Sequence, residues 1–269
     1  MNDNIFHNST QGCYVEEKML ISRAQDLILS VEKNCTACFL PFLNEKQQLT
    51  ISSLPHKSCG ARLVFYGGYG DAERKCAGFF PDFLFYDENY LPEDDFPIKA
   101  IVARGSGFRI LSHRDFFGAL MSLGIKRETI GDISVSDDGF CAVIPCLERT
   151  ADFLVENFTS AANDKIVCEK VACREASFPG RKFTEISDTL PSTRLDAVVA
   201  ACCNVSREAA DRLIQSGSVI LSHSECTDKA RLCREGDNIS IRHHGRFVLY
   251  KIGDRNKKDR LRVTFRKFI

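Results

Sequence analysis

The chain has 269 residues, 44% hydrophobic and 27% charged, the make-up of a soluble globular protein with two or three modest domains. No apolar run nears the roughly 20 residues of a helical membrane span. The 36 basic residues balance the 36 acidic ones overall, but from Leu190 onward Lys and Arg number 16 against 9 Asp and Glu, leaving 20 against 27 in residues 1–189. A basic end on an acidic body usually meets a polyanion.

The N-terminus, Met-Asn-Asp-Asn-Ile-Phe-His, lacks the basic and apolar regions of a secretion signal. The thirteen cysteines are odd in number and irregularly spaced, which argues against a disulfide framework. Cys35-x-x-Cys38 has ligand-pair spacing, yet no second pair follows it and a tetrahedral zinc needs four ligands. The thiols therefore read as small hydrophobes in a reducing, cytoplasmic compartment, with no metal or cofactor expected.

Residues 11–33 place Met19, Leu20, Ala24, Leu27, Ile28 and Val31 on one helical face. Asn44, followed by Gln47, reads as a helix N-cap. Arg62–Tyr66 is a strand, Gly67-Gly68-x-Gly70 a turn, and residues 71–77 are expected to be helical. In the middle third, strands at 98–103, 130–135, 140–144 and 165–171 alternate with helices at 115–123 and 150–162. That β-α-β-β-α-β order is the ferredoxin-like one shared by RNA-recognition motifs. Its strands lack the aromatic platform on which bases stack, which favours a structural or protein-docking role.

Leu195, Val198, Val199 and Cys202 make an i, i+3, i+4, i+7 stripe, so 194–203 is a helix. Ser206 caps a second helix that ends at Gly217, and strands follow at 219–221, 239–242, 247–252 and 261–266. A helix N-terminus favours a phosphate, and a guanidinium is a planar donor fork for its oxygens. Arg194, Ser206, Arg207 and Arg212 are therefore the principal candidates for binding a polyanion, with Arg242, Arg246, Lys257 and Lys258 extending the basic surface. The expected class is α+β: a small α/β domain (1–85), a ferredoxin- or RRM-like domain (86–173), a connector (174–192), and a C-terminal domain of two helices and β-hairpins with a β extension (193–269).

Arg194-Leu-Asp-Ala-Val-Val-Ala, Ser206 to Val219, and Arg234-Glu-Gly-Asp-Asn-Ile-Ser-Ile together resemble the small RNA-binding domain named after ribosomal protein S-four. Tyr66-Gly-Gly-Tyr-Gly-Asp-Ala-Glu-Arg74, His113 to Arg127, Ile130-Gly-Asp-Ile133 and Arg246-Phe resemble the bacterial YlmH family, also called RqcP, over nearly the whole chain. The resemblance implies a non-catalytic RNA-binding factor of ribosome-associated quality control. Its partners would be rRNA and tRNA on a large ribosomal subunit carrying peptidyl-tRNA, and a quality-control factor that adds alanine tails, with no membrane. An RNA-modifying enzyme with an appended RNA-binding domain and a division-associated scaffold are the alternatives.

The chain departs from the common S-four pattern at Leu221-Ser-His-Ser-Glu-Cys226. Glu225 removes this hairpin from the expected footprint, while His223 stays a candidate hydrogen-bond donor to RNA. His113-Arg114-Asp115 lacks the magnesium-binding Asn of a kinase loop, and Asp115 is read instead as organising the start of a helix. The glycine turn reads as structural, with Arg74 and Lys75 as ribosomal contacts the second reading.

Overall fold

A computed structural model describes residues 4–55, 60–87, 90–180, 183–222 and 224–268, with side chains from Val15 onward. The chain divides into two compact units, Met1–Gly180 and Arg181–Ile269.

The first unit opens with α1 (Asn4–Asn34), β1 (Cys38–Leu43), α2 (Glu45–Ser52), β2 (Ala61–Tyr66) and β3 (Lys75–Pro81). The three strands form an antiparallel sheet in the order β1-β3-β2. Ala24, Ile28 and Val31 of α1 are buried against Leu40, Leu43, Ile51 and Phe79. Met19, expected on that face, is 67% exposed. At 100° per residue it stands one step off the stripe that runs through Leu20, Ala24 and Ile28. Asn44 and Gln47 form a reciprocal capping box, each side chain accepting the other's backbone N–H at 2.9 Å.

The helix expected over 71–77 is not formed. Residues from Lys75 onward are the central strand β3, paired on both edges, with Cys76, Ala77, Phe79 and Phe80 buried. A strand buried on both faces has no polar alternation to tell it from a helical segment. Gly67 and Gly68 make the turn into it. Gly68 has φ +95°, and a Cβ on Gly67 would meet Ala72 Cβ at 2.4 Å and the Arg74 carbonyl oxygen at 2.5 Å.

The unit continues with β4 (Ile98–Gly105), α3 (His113–Ser122), β5 (Ser134–Val135), β6 (Cys141–Leu147), α4 (Glu148–Asn157), β7 (Ser160–Ala161) and β8 (Asp164–Val171). Their sheet runs β5-β6-β4-β8-β7, with every neighbour antiparallel. α4 stops short of the expected 162 because Ala162 and Asn163, at φ 47° and 66°, form the two-residue turn of the β7–β8 hairpin. Phe116, Leu120, Leu154 and Phe158 cover one face of the sheet. On the other side, Phe42, Phe80 and Phe96 share a core with Ala100 and Val143, so the first two expected domains are packed together.

The second unit comprises β9 (Phe183–Leu190), α5 (Leu195–Cys203), α6 (Arg207–Gln215), β10 (Val219–Leu221), β11 (Ser224–Glu225), β12 (Asn238–Ile241), β13 (Gly245–Arg255) and β14 (Leu261–Phe268). The sheet order is β11-β10-β12-β13-β14-β9. β9 falls within the stretch read as connector, yet it pairs with β14 along its whole length, from Phe183 opposite Phe268 to Leu190 opposite Leu261. Its polar sequence gives little sign of this, because the pairing partner lies some seventy residues away. α5 and α6 cover one face, where Leu195, Val198, Val199 and Ile214 pack on Ile239, Ile241, Phe247, Leu249, Val263 and Phe265.

Candidate nucleic-acid interface

The helix pair in the second unit is set by local chemistry. α5 ends at Asn204 in the left-handed region, φ 53°, and α6 begins two residues later at its cap, Ser206. Ser206 Oγ accepts the Ala209 N–H at 3.2 Å. The cap thus takes one of the amides that have no intrahelical acceptor and leaves others at the positive end of the helix.

Arg207 and Arg212 are exposed, and neither guanidinium has a side-chain partner among the described residues. Five positions apart, they stand about 140° apart around a helix of 3.6 residues per turn, so they flank α6 and do not share a stripe. Arg207 lines a shallow groove with Asp188, Asn204 and Arg260. Arg212 sits in the last turn of α6, and beyond that helix the Arg242 N–H donates to the Ser218 carbonyl at 2.9 Å.

Arg194 differs from these two. Its Nε and Nη2 donate to Asp196 Oδ1 and Oδ2 at 3.1 and 3.4 Å, and Asp196 also accepts the Ala197 N–H at 2.9 Å. Burial pushes the Asp196 carboxyl up, but the Arg194 and Ala197 hydrogen bonds and the charges of Arg194 and Arg207 outweigh it and hold the group below its ordinary range. Arg194 is anchored at the start of α5 by an internal carboxylate, with 39% of its side chain exposed.

The remaining candidates separate along β13. Arg242 is exposed in the turn before this strand, and Lys257 and Lys258 are exposed in the turn after it. Eleven residues of strand lie between the turns, roughly 36 Å at about 3.3 Å per residue. Lys257 and Lys258 lie at the end where Arg260 Nε donates to Thr189 at 3.1 Å and shares the groove with Arg207. Arg246 is half-buried, with Nη2 donating to Asn238 Oδ1 at 3.3 Å and its guanidinium 5.5 Å from the Phe268 ring centre. His223 lies outside the described residues. The Glu225 carboxylate lies over Gly217, where an added Cβ would be 2.5 Å from its oxygen.

The upstream motifs converge on one place in the first unit. Asp132 Oδ2 accepts the backbone N–H groups of Glu73 at 2.6 Å and Arg74 at 3.4 Å, and the Tyr69 hydroxyl at 3.4 Å. Arg74 donates to the carbonyls of Phe42, Arg127 and Ile130, while Arg127 donates to those of Ile130 and Gly131. A Cβ on Gly131 would come within 2.8 Å of the Phe42 ring. Arg74 thus bonds inward, which favours its structural reading.

Burial pulls the Arg127 guanidinium down to about 10, with the Arg74 charge adding to the shift. His113 is stacked on Phe117, and burial followed by the Arg127 charge lowers its pKa. Asp115 takes the Ser112 N–H and hydroxyl at 2.8 and 2.7 Å, closing the α3 cap as a helix-start residue should. Burial raises the thiols of Cys76, Cys146 and Cys202, and raises Cys173 to about 11. Among the described residues no group of three or more His, Cys, Asp or Glu is placed to hold a metal, and no helix is long and apolar enough to cross a membrane.

Residues 92–175 match a family model described as "Putative RNA-binding domain in YlmH". This is the β4–β8 segment, for which the sequence favours a structural or docking role. The chain is 32% identical over 253 residues, 94% of its own length and 95% of the relative's, to the ribosome-associated protein quality control protein P2 of Bacillus subtilis (strain 168). A solved structure of the cell division protein ylmH from Streptococcus pneumoniae covers 60% of this chain and 94% of its own, at 19% identity and a TM-score of 0.49.

Proposed function

The chain belongs to the family of the Bacillus subtilis ribosome-associated quality control protein P2, and on that premise we propose that it is a non-catalytic RNA-binding factor of ribosome-associated quality control. It engages rRNA and tRNA backbone on large ribosomal subunits that carry peptidyl-tRNA, and it supports the factor that adds alanine tails to the stalled chain. It works in the cytoplasm. The second unit acts as an S-four-type RNA-binding domain, and the middle segment as an RRM-like one that adds to the RNA contact.

The observation that carries this reading is that Arg207 and Arg212, on the Ser206-capped helix, are exposed and have no side-chain hydrogen bond or ion pair among the described residues. They stand in a unit whose sequence holds 18 Lys and Arg against 11 Asp and Glu from Arg181 onward. An exposed guanidinium beside the free amides of a helix N-terminus, as at Arg207, suits phosphate oxygens, and Arg212 adds a second exposed cation in the last turn. Arg194, held by Asp196, positions the start of α5 and offers its remaining donors beside them.

Co-sedimentation with peptidyl-tRNA-bearing large subunits tests the proposal. Arg207→Ala combined with Arg212→Ala should weaken binding and lower the slope of log affinity against log salt by about 2. Unchanged co-sedimentation of this double variant would refute it.

A further inference from the structure

We infer that the open face of the six-stranded sheet, on the side away from α5 and α6, binds an unpaired stretch of RNA by stacking its bases. The inference rests on the RNA-binding reading above but concerns a different surface.

Alternation along the strands assigns the residues. Phe247, Leu249, Val263 and Phe265 point into the core under the helices. Their neighbours Arg246, Tyr250, Arg262 and Arg266 therefore point to the opposite side. Register extends this face across the sheet: Val248 lies opposite Arg266, Arg266 opposite Glu185, and Arg262 opposite Thr189. After the irregularity between Leu249 and Lys251, Lys251 lies opposite Thr264 on the same side.

At the centre stands a three-part stack. The Arg266 guanidinium lies 3.3 Å from the Tyr250 ring centre and 4.1 Å from that of Phe183, with its Nη2 on Glu185 at 3.1 Å. Three strands thus hold one guanidinium between two rings. Tyr250 remains 46% exposed and Phe183 40% exposed. Exposed rings on an antiparallel sheet, pinned by a planar cation, present flat π-faces at little further ordering cost, which is what a stacking base requires.

Charge selects the occupant. Arg246, Lys251, Arg262 and Arg266 stand in these rows, and Glu185, the carboxylate opposite Arg266, is already joined to it. A second copy of this chain would set cation against cation. A nucleic-acid strand brings phosphates for the exposed Lys251 and Arg262 and bases for the rings. A duplex keeps its bases stacked inside and has none to offer, so the face suits single-stranded segments.

The test uses the full-length protein without ribosomes, a fluorescein-labelled oligouridylate and a blunt RNA duplex, read by anisotropy. Phe183→Ala with Tyr250→Ala should weaken oligouridylate binding about tenfold and leave duplex binding within about twofold. Phe183→Tyr with Tyr250→Phe retains both rings and should retain binding, which separates stacking from damage to the sheet. Bromouridine in the oligonucleotide should photocrosslink to the peptides holding Phe183 or Tyr250. Unchanged oligouridylate affinity in the alanine variant, loss in the ring-retaining variant, a preference for duplex, or crosslinks confined to other peptides would each overturn the inference. Because ribosomal subunits are absent, this result is independent of the Arg207 and Arg212 co-sedimentation outcome.

Discussion

Arg74 and Arg127 donate to the same backbone carbonyl, that of Ile130, at 3.4 and 3.0 Å. Two like charges share one acceptor because Asp132 lies close by and because each guanidinium has further carbonyls to satisfy. The pairing ties the turn before β3 to the segment after α3. Residues that a sequence motif marks as special are here the fastening of the first unit.

Replacing Arg74 by Lys keeps the charge but loses the planar fork that reaches three carbonyls. Stability should fall by about 2 kcal/mol in chemical denaturation, since the part-buried carbonyls of Phe42 and Arg127 lose the Arg74 donor. An unchanged midpoint would show that these bonds carry no net stability.

The glycine turn before β3 offers a paired test. Gly67→Ala forces a Cβ against the Arg74 carbonyl and Ala72, and should cost about 1–3 kcal/mol. Gly70→Ala meets no atom within 4 Å and should change stability by less than about 0.5 kcal/mol. Equal melting temperatures for the two variants would contradict the packing.

Acid should loosen the second unit through Asp196. Its folded-state pKa lies below the unfolded value of about 3.9, so its stabilising contribution is present above that pH and is lost as pH falls through the folded value. Asp196→Asn should therefore reduce stability at pH 7 by about 1–2 kcal/mol and flatten its fall as the pH drops below the unfolded carboxyl value of about 3.9. Urea titrations across this range, followed by a probe in the second unit, measure both.

Arg242 and the Lys257–Lys258 pair lie at opposite ends of β13. If both ends touch RNA, Arg242→Ala and Lys257→Ala/Lys258→Ala should weaken binding additively, within about 0.5 kcal/mol. An unchanged affinity for either variant, measured by filter binding or anisotropy, would mean that its end of the strand is not in contact.

Thiol reactivity should follow burial. Cys35 is exposed and should react with a thiol reagent in the folded protein, whereas Cys76, Cys146 and Cys202 should react only on unfolding. Mass spectrometry after brief labelling would show the order, and early labelling of Cys146 would contradict the core packing.

Much of the local structure was legible in the residues. Asn44 with Gln47, and Ser206, mark helix starts that form where their chemistry requires, because a cap depends on neighbours three residues away. Asp115 is legible as a helix-start residue, while its cap Ser112 and the earlier start at His113 appear only in the structure. The apolar stripe of α5 and the basic excess of the C-terminal third were equally plain. β3 was not, because burial on both faces removes the alternation by which a strand is recognised.

What the sequence by itself determined is therefore the set of properties carried by near neighbours and totals: helix caps, the α5 stripe, and a basic end on an acidic body. Tertiary structure alone decided which cations are available. It turned Arg74 inward onto carbonyls, tied Arg194 to Asp196, and left Arg207 and Arg212 exposed on α6 with no ion pair among the described residues. It brought β9 beside β14 and so placed Phe183 against Arg266 and Tyr250. The physical reason is distance along the chain. Local hydrogen bonds are encoded by residues a few positions apart, but a guanidinium's partner is whatever pairing and packing bring within a few ångströms, often from strands far apart in sequence.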